Sequence, residues 1–542
     1  MIESQMSPRP RDRYSRRRSM TPWVVAPLLV VGLSITMWSS IEAQRRSRES
    51  DWVTYAGDSR AMKYSPLAVI HKSNLADLRV AWRWLSADRN IQALNPVWRA
   101  SRNEETPLVV NGTMYTVTGL GLIAALDPAT GRTRWVYDPE SYKNGRPTSV
   151  GFAVRGLAYW TDGTAERLLH GTADAYLISV DANTGKPDAR FGTGGKVDLT
   201  EGIRDVVRTV NFAGRPPTIA GDLVIAGNVI DSAAPRKEMP PGYVKAFDVR
   251  SGRLIWTFHM VPRAGEVGYD TWQQDSAEYS GNANVWAGIS YDPELDYAYL
   301  AGSSATNDYY GGLRPGDNLF ADSIVCVAAK TGRRIWHYQT VHHDVWDYDL
   351  PTHPLLGDIR VGGRPIKAVM QVTKQGFTYV LDRVTGAPVW PIDERPVPQS
   401  SVPQERSSPT QPVPTKPPPF DLQGTTDASV IDFTPELRTR ALDLLRPFER
   451  GPLFAPPTLK GTVILPGIFG GANWGGAGFD PETGVLYVPS RMAASVIRLV
   501  PGDPKRTNHL YVSGGTGARI DDATIDGLPL FKPPYARVTA ID

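Results

Sequence analysis

Short apolar runs recur along this chain, each followed by the same polar turn. Ala125-Leu126-Asp127 leads to Thr130-Gly131 and then Trp135, and Ala246-Phe247-Asp248 leads to Ser251-Gly252 and Trp256. Val327-Ala328-Ala329 leads to Thr331-Gly332 and Trp336, and Val380-Leu381-Asp382 to Thr385-Gly386 and Trp390. In these four copies the tryptophan lies four residues after the glycine. Two weaker copies are Val180-Asp181 with Thr184-Gly185 and Phe479-Asp480 with Thr483-Gly484.

The pattern predicts hairpins. An apolar strand ends at Asp, whose carboxylate accepts backbone N–H groups of the turn, and Gly supplies a positive φ. The next strand carries Trp at a fixed place, to pack between neighbouring sheets. One such turn is commonplace; six in order predict a repeated sheet. Each copy is read as one hairpin of a four-stranded blade. A blade cannot bury both faces alone, so blades stack radially, and the predicted class is all-β.

Two stretches interrupt the pattern. Residues 393–420 are dense in proline and predict an extended surface loop. Residues 434–448 predict a short helix, with Thr434 as cap, Pro435 at the first position, and Leu437, Ala441, Leu444 and Leu445 on one face. Residues 393–460 are therefore expected to be an insertion between blades of one domain spanning 51–542.

Composition sharpens this picture in a few places. The 542 residues are 41% hydrophobic and 21% charged, ordinary for a globular protein. With 50 Gly, 46 Pro and 15 Trp, short strands and tight turns are favoured over helices. The net charge is +3, and much of the basic excess lies before residue 51, which gives no electrostatic case for nucleic acid. The single cysteine, Cys326, excludes an internal disulfide. At the N-terminus, Arg11, Arg13, Arg16, Arg17 and Arg18 precede an apolar run from Pro22 to Trp38, with Ala43 as a cleavage position. Residues 1–50 thus read as an export signal or a membrane anchor, and Ser15-Arg16-Arg17 resembles a twin-arginine start. On either reading the body is expected outside the cytoplasm, in the periplasm.

Two segments concentrate polar residues beside aromatics. His342-His343-Asp344-Val345-Trp346-Asp347-Tyr348-Asp349, with His353 after it, reads either as a polar loop at a blade end or as a metal site. Gly470-Gly471-Ala472-Asn473-Trp474-Gly475-Gly476 reads either as a turn or as a place where backbone approaches a flat ligand. It lacks the strand–helix context of a nucleotide loop.

These segments, Asp51-Trp52, Tyr64-Ser65-Pro66-Leu67 and the tryptophan repeats together resemble the pyrroloquinoline quinone (PQQ)-dependent dehydrogenases, the quinoprotein glucose dehydrogenase branch above all. The resemblance covers residues 51–542. It implies an eight-bladed β-propeller holding PQQ and calcium near its axis. Carried over residue by residue, it implies PQQ contacts from Glu104, Arg155, Thr172, Trp286, Lys374 and Asn473. It implies metal ligands at Asp231, Thr306 and Asp347. Asp347 is the implied general base for a sugar or other hydroxyl compound, and Lys374 the donor to the reactive quinone oxygen. The resemblance further implies that Arg155 pairs with a PQQ carboxylate and that the ring lies on Trp286.

Four departures qualify the resemblance. The adjacent cysteine pair of the alcohol-oxidising branch is missing. Gly151 stands where the glucose branch has a substrate-contacting His, which puts glucose in doubt. Ser232 replaces an Asn beside the metal position. The chain stops at Thr539-Ala540-Ile541-Asp542, which reads as half a repeat, with C-terminal blades missing or supplied by a second polypeptide. With no C-x-x-C-H haem signature, electrons are expected to leave to a separate quinone or cytochrome c. A non-enzymatic periplasmic scaffold and a truncated, inactive relative are the alternatives.

Overall fold

The recurring turns fold as the sequence predicts. In a computed structural model describing residues 51–147, 150–210, 212–231, 235–514 and 524–542, Asp127 Oδ1 accepts from the N–H groups of Ala129 and Thr130 and from the Thr130 hydroxyl. Asp181 and Asp382 repeat the same three bonds in their own turns. The six turn glycines, Gly131, Gly185, Gly252, Gly332, Gly386 and Gly484, have φ between +68° and +78°. The expected export segment, the cleavage position Ala43 and Ser232 lie outside the described residues.

The turns join the strands of six antiparallel sheets among the described residues. Blade 1 comprises Leu108–Val110, Thr113–Val117, Ile123–Leu126 and Thr133–Tyr137. Blade 2 comprises Ala158–Thr161, Glu166–Gly171, Tyr176–Asp181 and Lys196–Asp198; blade 3 comprises Thr218–Ala220, Leu223–Ala226, Tyr243–Asp248 and Leu254–His259. Blade 4 comprises Ile289–Asp292, Tyr297–Ala301, Ser323–Ala328 and Arg334–Gln339. Blade 5 has three strands, Leu355–Val361, Arg364–Val372 and Thr378–Asp382. Blade 6 also has three, Gly478–Asp480, Val485–Arg491 and Ala536–Ile541.

Adjacent blades share a core, because side chains alternate across each strand. From one stretch of blade 3, Val244 and Ala246 pack toward blade 4, whereas Phe247 and Val249 pack toward blade 2. Three more buried clusters join blades 1 and 2, 4 and 5, and 5 and 6. Tryptophan rings seal the outer strands. Trp135 lies against Gly185, Trp256 against Gly332, and Trp336 against Gly386, each in the next blade. Trp256 Nε1 donates to Ala329 O at 2.8 Å and Trp336 Nε1 to Arg383 O at 3.2 Å. Trp82, from the segment before blade 1, repeats this on Gly131, donating to Pro128 O at 3.0 Å.

Two of the expected repeats differ. Turn Asp480–Gly484 joins the first two strands of its blade, whereas the other five follow the third strand. A Cβ on Gly484 would meet nothing within 4 Å, so Trp390 does not dock there; it packs instead with the core shared by blades 5 and 6. The proline-rich stretch is not all loop either. Ile392–Pro396 pairs with Thr410–Pro414 as a two-stranded ribbon, an arrangement whose free edges tolerate proline. The predicted helix spans Pro435–Leu445, and Leu437 N donates to the Thr434 hydroxyl at its start.

Residues 52–62 cross the inner edge of the blades. Trp52 pairs with Val109 of blade 1, while Ser59, Arg60 and Met62 carbonyls accept from Tyr291, Leu356 and Phe479, in the first strands of blades 4, 5 and 6.

Candidate functional site

An antiparallel meander brings the start of its first strand and the end of its second to the same end of the sheet. The candidate residues occupy those two places. Arg155 and Trp286 sit just ahead of the first strands of blades 2 and 4. Glu104, Asp347 and Asn473 precede the first strands of blades 1, 5 and 6. Thr172, Thr306 and Lys374 follow the second strands of blades 2, 4 and 5, and Asp231 follows Asn228–Ile230, a strand paired with Phe212–Gly214 beside blade 3.

A cavity of about 780 Å³, part of it open to solvent, lies at this end of the sheets. Arg155, Trp286, Asp347, Lys374 and Asn473 all line it. Lys374 is its polar centre. Lys374 Nζ donates to Asp347 Oδ1 at 2.8 Å and to Asp347 O at 2.7 Å, and lies 2.5 Å from Asp349 Oδ1. Trp286 donates its indole N–H to the same Asp349. Gly470 packs on this lysine so closely that a Cβ would come 2.5 Å from the Lys374 Cα. The glycine loop therefore grips Lys374, and Gly471 N donates to its carbonyl at 2.9 Å. Asn473 is held within that loop, donating to Phe469 O at 2.7 Å.

Burial and neighbouring charge set the acid–base character. Burial would strip the proton from Lys374, but Asp347 and Asp349 outweigh it and hold the amine above its ordinary range. Burial pushes the Asp347 carboxyl well above the usual carboxylate value; Lys374 pulls it down, while Asp308 and Asp349 push it further up. Asp347 keeps 22% of its side chain exposed against 6% for Asp349, so Asp347 is the acid that a ligand in the cavity can reach.

The opposite side is cationic. Arg102, Arg155 and Arg215 line it. Arg155 Cζ lies 4.5 Å from the Trp286 ring centre, and Arg155 Nη1 donates to Trp286 O at 3.2 Å. Glu104 stands behind, 2.9 Å from Arg155 Nε and 3.7 Å from Arg102 Nη1. Arg215 was not anticipated. It holds the position that Arg155 and Trp286 hold in blades 2 and 4, three residues before the first strand, here of blade 3. That shared register is the signal that could have found it.

Other expected residues lie off this cavity. Glu104 and Thr172 do not line the cavity; Glu104 reaches it through Arg155 and Arg102, and the Thr172 hydroxyl donates to Asp174 in its own turn. Of the expected metal ligands only Asp347 lines the cavity. Thr306 turns its carbonyl to Arg314 Nε at 3.0 Å, and Ser304, two residues earlier, faces the cavity instead. Asp231 follows the strand Asn228–Ile230 and also lies off the cavity. Among the described residues, no three His, Cys, Asp or Glu side chains gather as a metal site. His342 and His343 point to the proline-rich ribbon, where His343 Nε2 lies 2.8 Å from Glu405 Oε1.

The family model described as "PQQ: Glucose/ethanol/alcohol dehydrogenase, beta-propeller domain" matches residues 52–542. The chain belongs to this family. Among similar PQQ-family proteins, the glycerol dehydrogenase large subunit of Gluconobacter oxydans is 31% identical, over 91% of this chain and 69% of that protein. The quinoprotein glucose dehydrogenase of Escherichia coli is 31% identical, over 91% of this chain and 64% of that protein. The solved quinohemoprotein alcohol dehydrogenase ADHIIG of Pseudomonas putida superposes with a TM-score of 0.62 at 26% identity, covering 85% of this chain and 59% of that one. The chain thus spans roughly 60–70% of the length of these PQQ-family relatives.

The cavity fits the family's cofactor. PQQ is a flat ortho-quinone carrying carboxylates. The site offers an indole ring, three guanidinium groups against one glutamate, and a buried amine opposite them. Arg215 Nε is buried without a hydrogen-bond partner, as expected of a cation awaiting an anionic group.

Proposed function

We propose that this chain is a dehydrogenase that oxidises a sugar or other hydroxyl compound at this cavity, with PQQ as cofactor. The observation that carries the reading is the Lys374–Asp347 pair facing a three-arginine wall across Trp286. PQQ, when bound, supplies the two-electron acceptor for a hydride leaving the carbinol carbon.

The residues supply the rest. Arg155 and Arg215 orient an anionic ring against Trp286. Lys374 places a positive charge at the polar end of the cavity, where negative charge develops. Asp347 takes the hydroxyl proton of the substrate, and its raised pKa brings it closer to the working pH of a general base.

The metal of this reading is calcium. Of the assigned set of Asp231, Thr306 and Asp347, Asp347 alone lines this cavity. The cavity lining does offer oxygen donors, from Asp308, Asp347, Ser304 and Asn284. Such donors suit a hard cation, which would add Lewis-acid polarisation. Glucose itself is disfavoured. Gly151 has φ +66°, a left-handed conformation that strains a histidine, and a Cβ there would have to displace the Ser101 and Arg146 side chains.

The N-terminal sequence supports a periplasmic location, by cleaved signal or by anchor; among the described residues no helix is long and apolar enough to cross a membrane. A separate quinone or cytochrome c takes the electrons. The test is dye reduction by the purified chain with PQQ and calcium. Reduction on adding a polyol, alcohol or aldose is expected; bound PQQ with no reduction across such a panel contradicts the activity.

A further inference from the structure

Five arginines are buried in the described residues: Arg155, Arg167, Arg215, Arg314 and Arg383. Burying a guanidinium is costly unless it is paired and its N–H groups find acceptors. Four of the five are either paired with a carboxylate or given several oxygen acceptors. Arg383 pairs with Asp292 at 2.7 Å and Asp358 at 2.8 Å, Arg167 with Asp188 at 2.5 Å, and Arg155 with Glu104 at 2.9 Å. Arg314 donates to the carbonyls of Thr306, Asn307 and Asp344 and to Asn318 Oδ1.

Arg215 differs. It is 6% exposed, yet among the described residues its one acceptor is Ala153 O, 3.1 Å from Nη1. Nε has none. Among the described residues no carboxylate pairs with it. Glu104 is the nearby acid, and it is already shared by Arg155 and Arg102. Burial and the neighbouring Arg155 pull Arg215 down to about 9, with Glu104 working the other way, so it is still cationic at neutral pH. The missing partner is an anion, and the cavity is where it can arrive.

We propose that Arg215 is a carboxylate-binding residue of this cavity, completing its ion pair with an acid group carried by a bound ligand. A planar guanidinium with free N–H groups matches a carboxylate in geometry as well as charge. The acid group can belong to the cofactor or to the substrate. The proposal deepens the dehydrogenase reading and rests on it for the identity of the ligand, whereas the charge argument stands on the cavity alone.

The test compares acids with neutral counterparts on the full chain. Tryptophan fluorescence follows binding of PQQ and of its trimethyl ester, and calorimetry follows gluconate and glucitol. Wild type, Arg215→Gln and Arg215→Lys are compared. Loss of a charge-assisted pair predicts affinity lower by about 10- to 100-fold for the acid, with the neutral partner unchanged. If PQQ weakens in Arg215→Gln and its ester does not, the carboxylate is the cofactor's. If PQQ is unaffected and gluconate weakens while glucitol does not, it is the substrate's.

Failure of the dehydrogenase reading looks different: the wild-type chain then binds no PQQ, yet still prefers gluconate to glucitol. Equal wild-type affinity for each acid and its neutral counterpart overturns the proposal without any variant. So does an Arg215→Gln chain that keeps the wild-type preference for the acid. A merely structural role would lower stability in Arg215→Gln and leave the ratio of acid to neutral affinity unmoved.

Discussion

Lys374 holds Asp347 twice, through the carboxylate at 2.8 Å and the main-chain carbonyl at 2.7 Å. The lysine therefore fixes both the position of the acid and its charge. Burial raises Asp347 and Lys374 opposes that rise. With Asp347 as the base, activity should climb with pH through a limb above the ordinary aspartate value of 3.8. Lys374→Met removes the opposing charge, so the limb should move to higher pH. The turnover should also fall by about 10²–10³, the usual loss of a charge-stabilising donor. A pH–rate profile of kcat/KM checks both; an unmoved limb argues against the assignment.

The tryptophan seals should differ in worth along the chain. Trp256 donates to Ala329 O, and its loss would leave a buried carbonyl without a partner. Trp256→Phe should cost about 1–3 kcal/mol. Trp390 is not docked on a turn glycine, and Trp390→Phe should cost less than about 1 kcal/mol. Denaturant unfolding of the two variants checks the contrast.

The turn glycines give a second contrast. A Cβ on Gly332 would lie 2.6 Å from Trp256, whereas a Cβ on Gly484 would meet nothing within 4 Å. Both have positive φ, so alanine at either place carries the left-handed cost of about 1–2 kcal/mol. Gly332→Ala should cost about 1–3 kcal/mol more, from overpacking. Thermal melts of both variants should show the larger drop for Gly332→Ala.

Glu405 should make the proline-rich ribbon acid-sensitive. Its carboxyl lies 2.8 Å from His343 Nε2, with both side chains 2% exposed. Burial raises Glu405, but His343, Arg314 and the Gly311 N–H outweigh it and hold it below the ordinary 4.5. A depressed acid adds stability above its unfolded value and loses it as pH falls through the folded value. Limited proteolysis between 397 and 409 should therefore increase as pH falls below 4.5. Glu405→Gln should show the same cutting at neutral pH.

Much of the fold was legible because the turn is local. Asp, Thr and Gly within five residues are enough to set it, and each turn stands where the sequence puts it. The motif does not encode which hairpin it closes. That is why Asp480–Gly484 joins the first two strands of its blade and leaves Trp390 without a docking glycine.

The site was legible where a residue stands at a fixed distance from a strand. Arg155, Trp286 and Lys374 reach the cavity for that reason. Thr306 and Ser304 lie in an irregular loop with no alternation to say which side chain faces inward, and the neighbour took the place. Arg215 carries no motif of its own. Only the register it shares across blades marks it.

The most direct test of the account is an equilibrium titration of the chain with PQQ, followed by the absorbance of the quinone. One equivalent should bind saturably, and more weakly after Arg155→Gln. No saturable binding, with or without calcium, would contradict it.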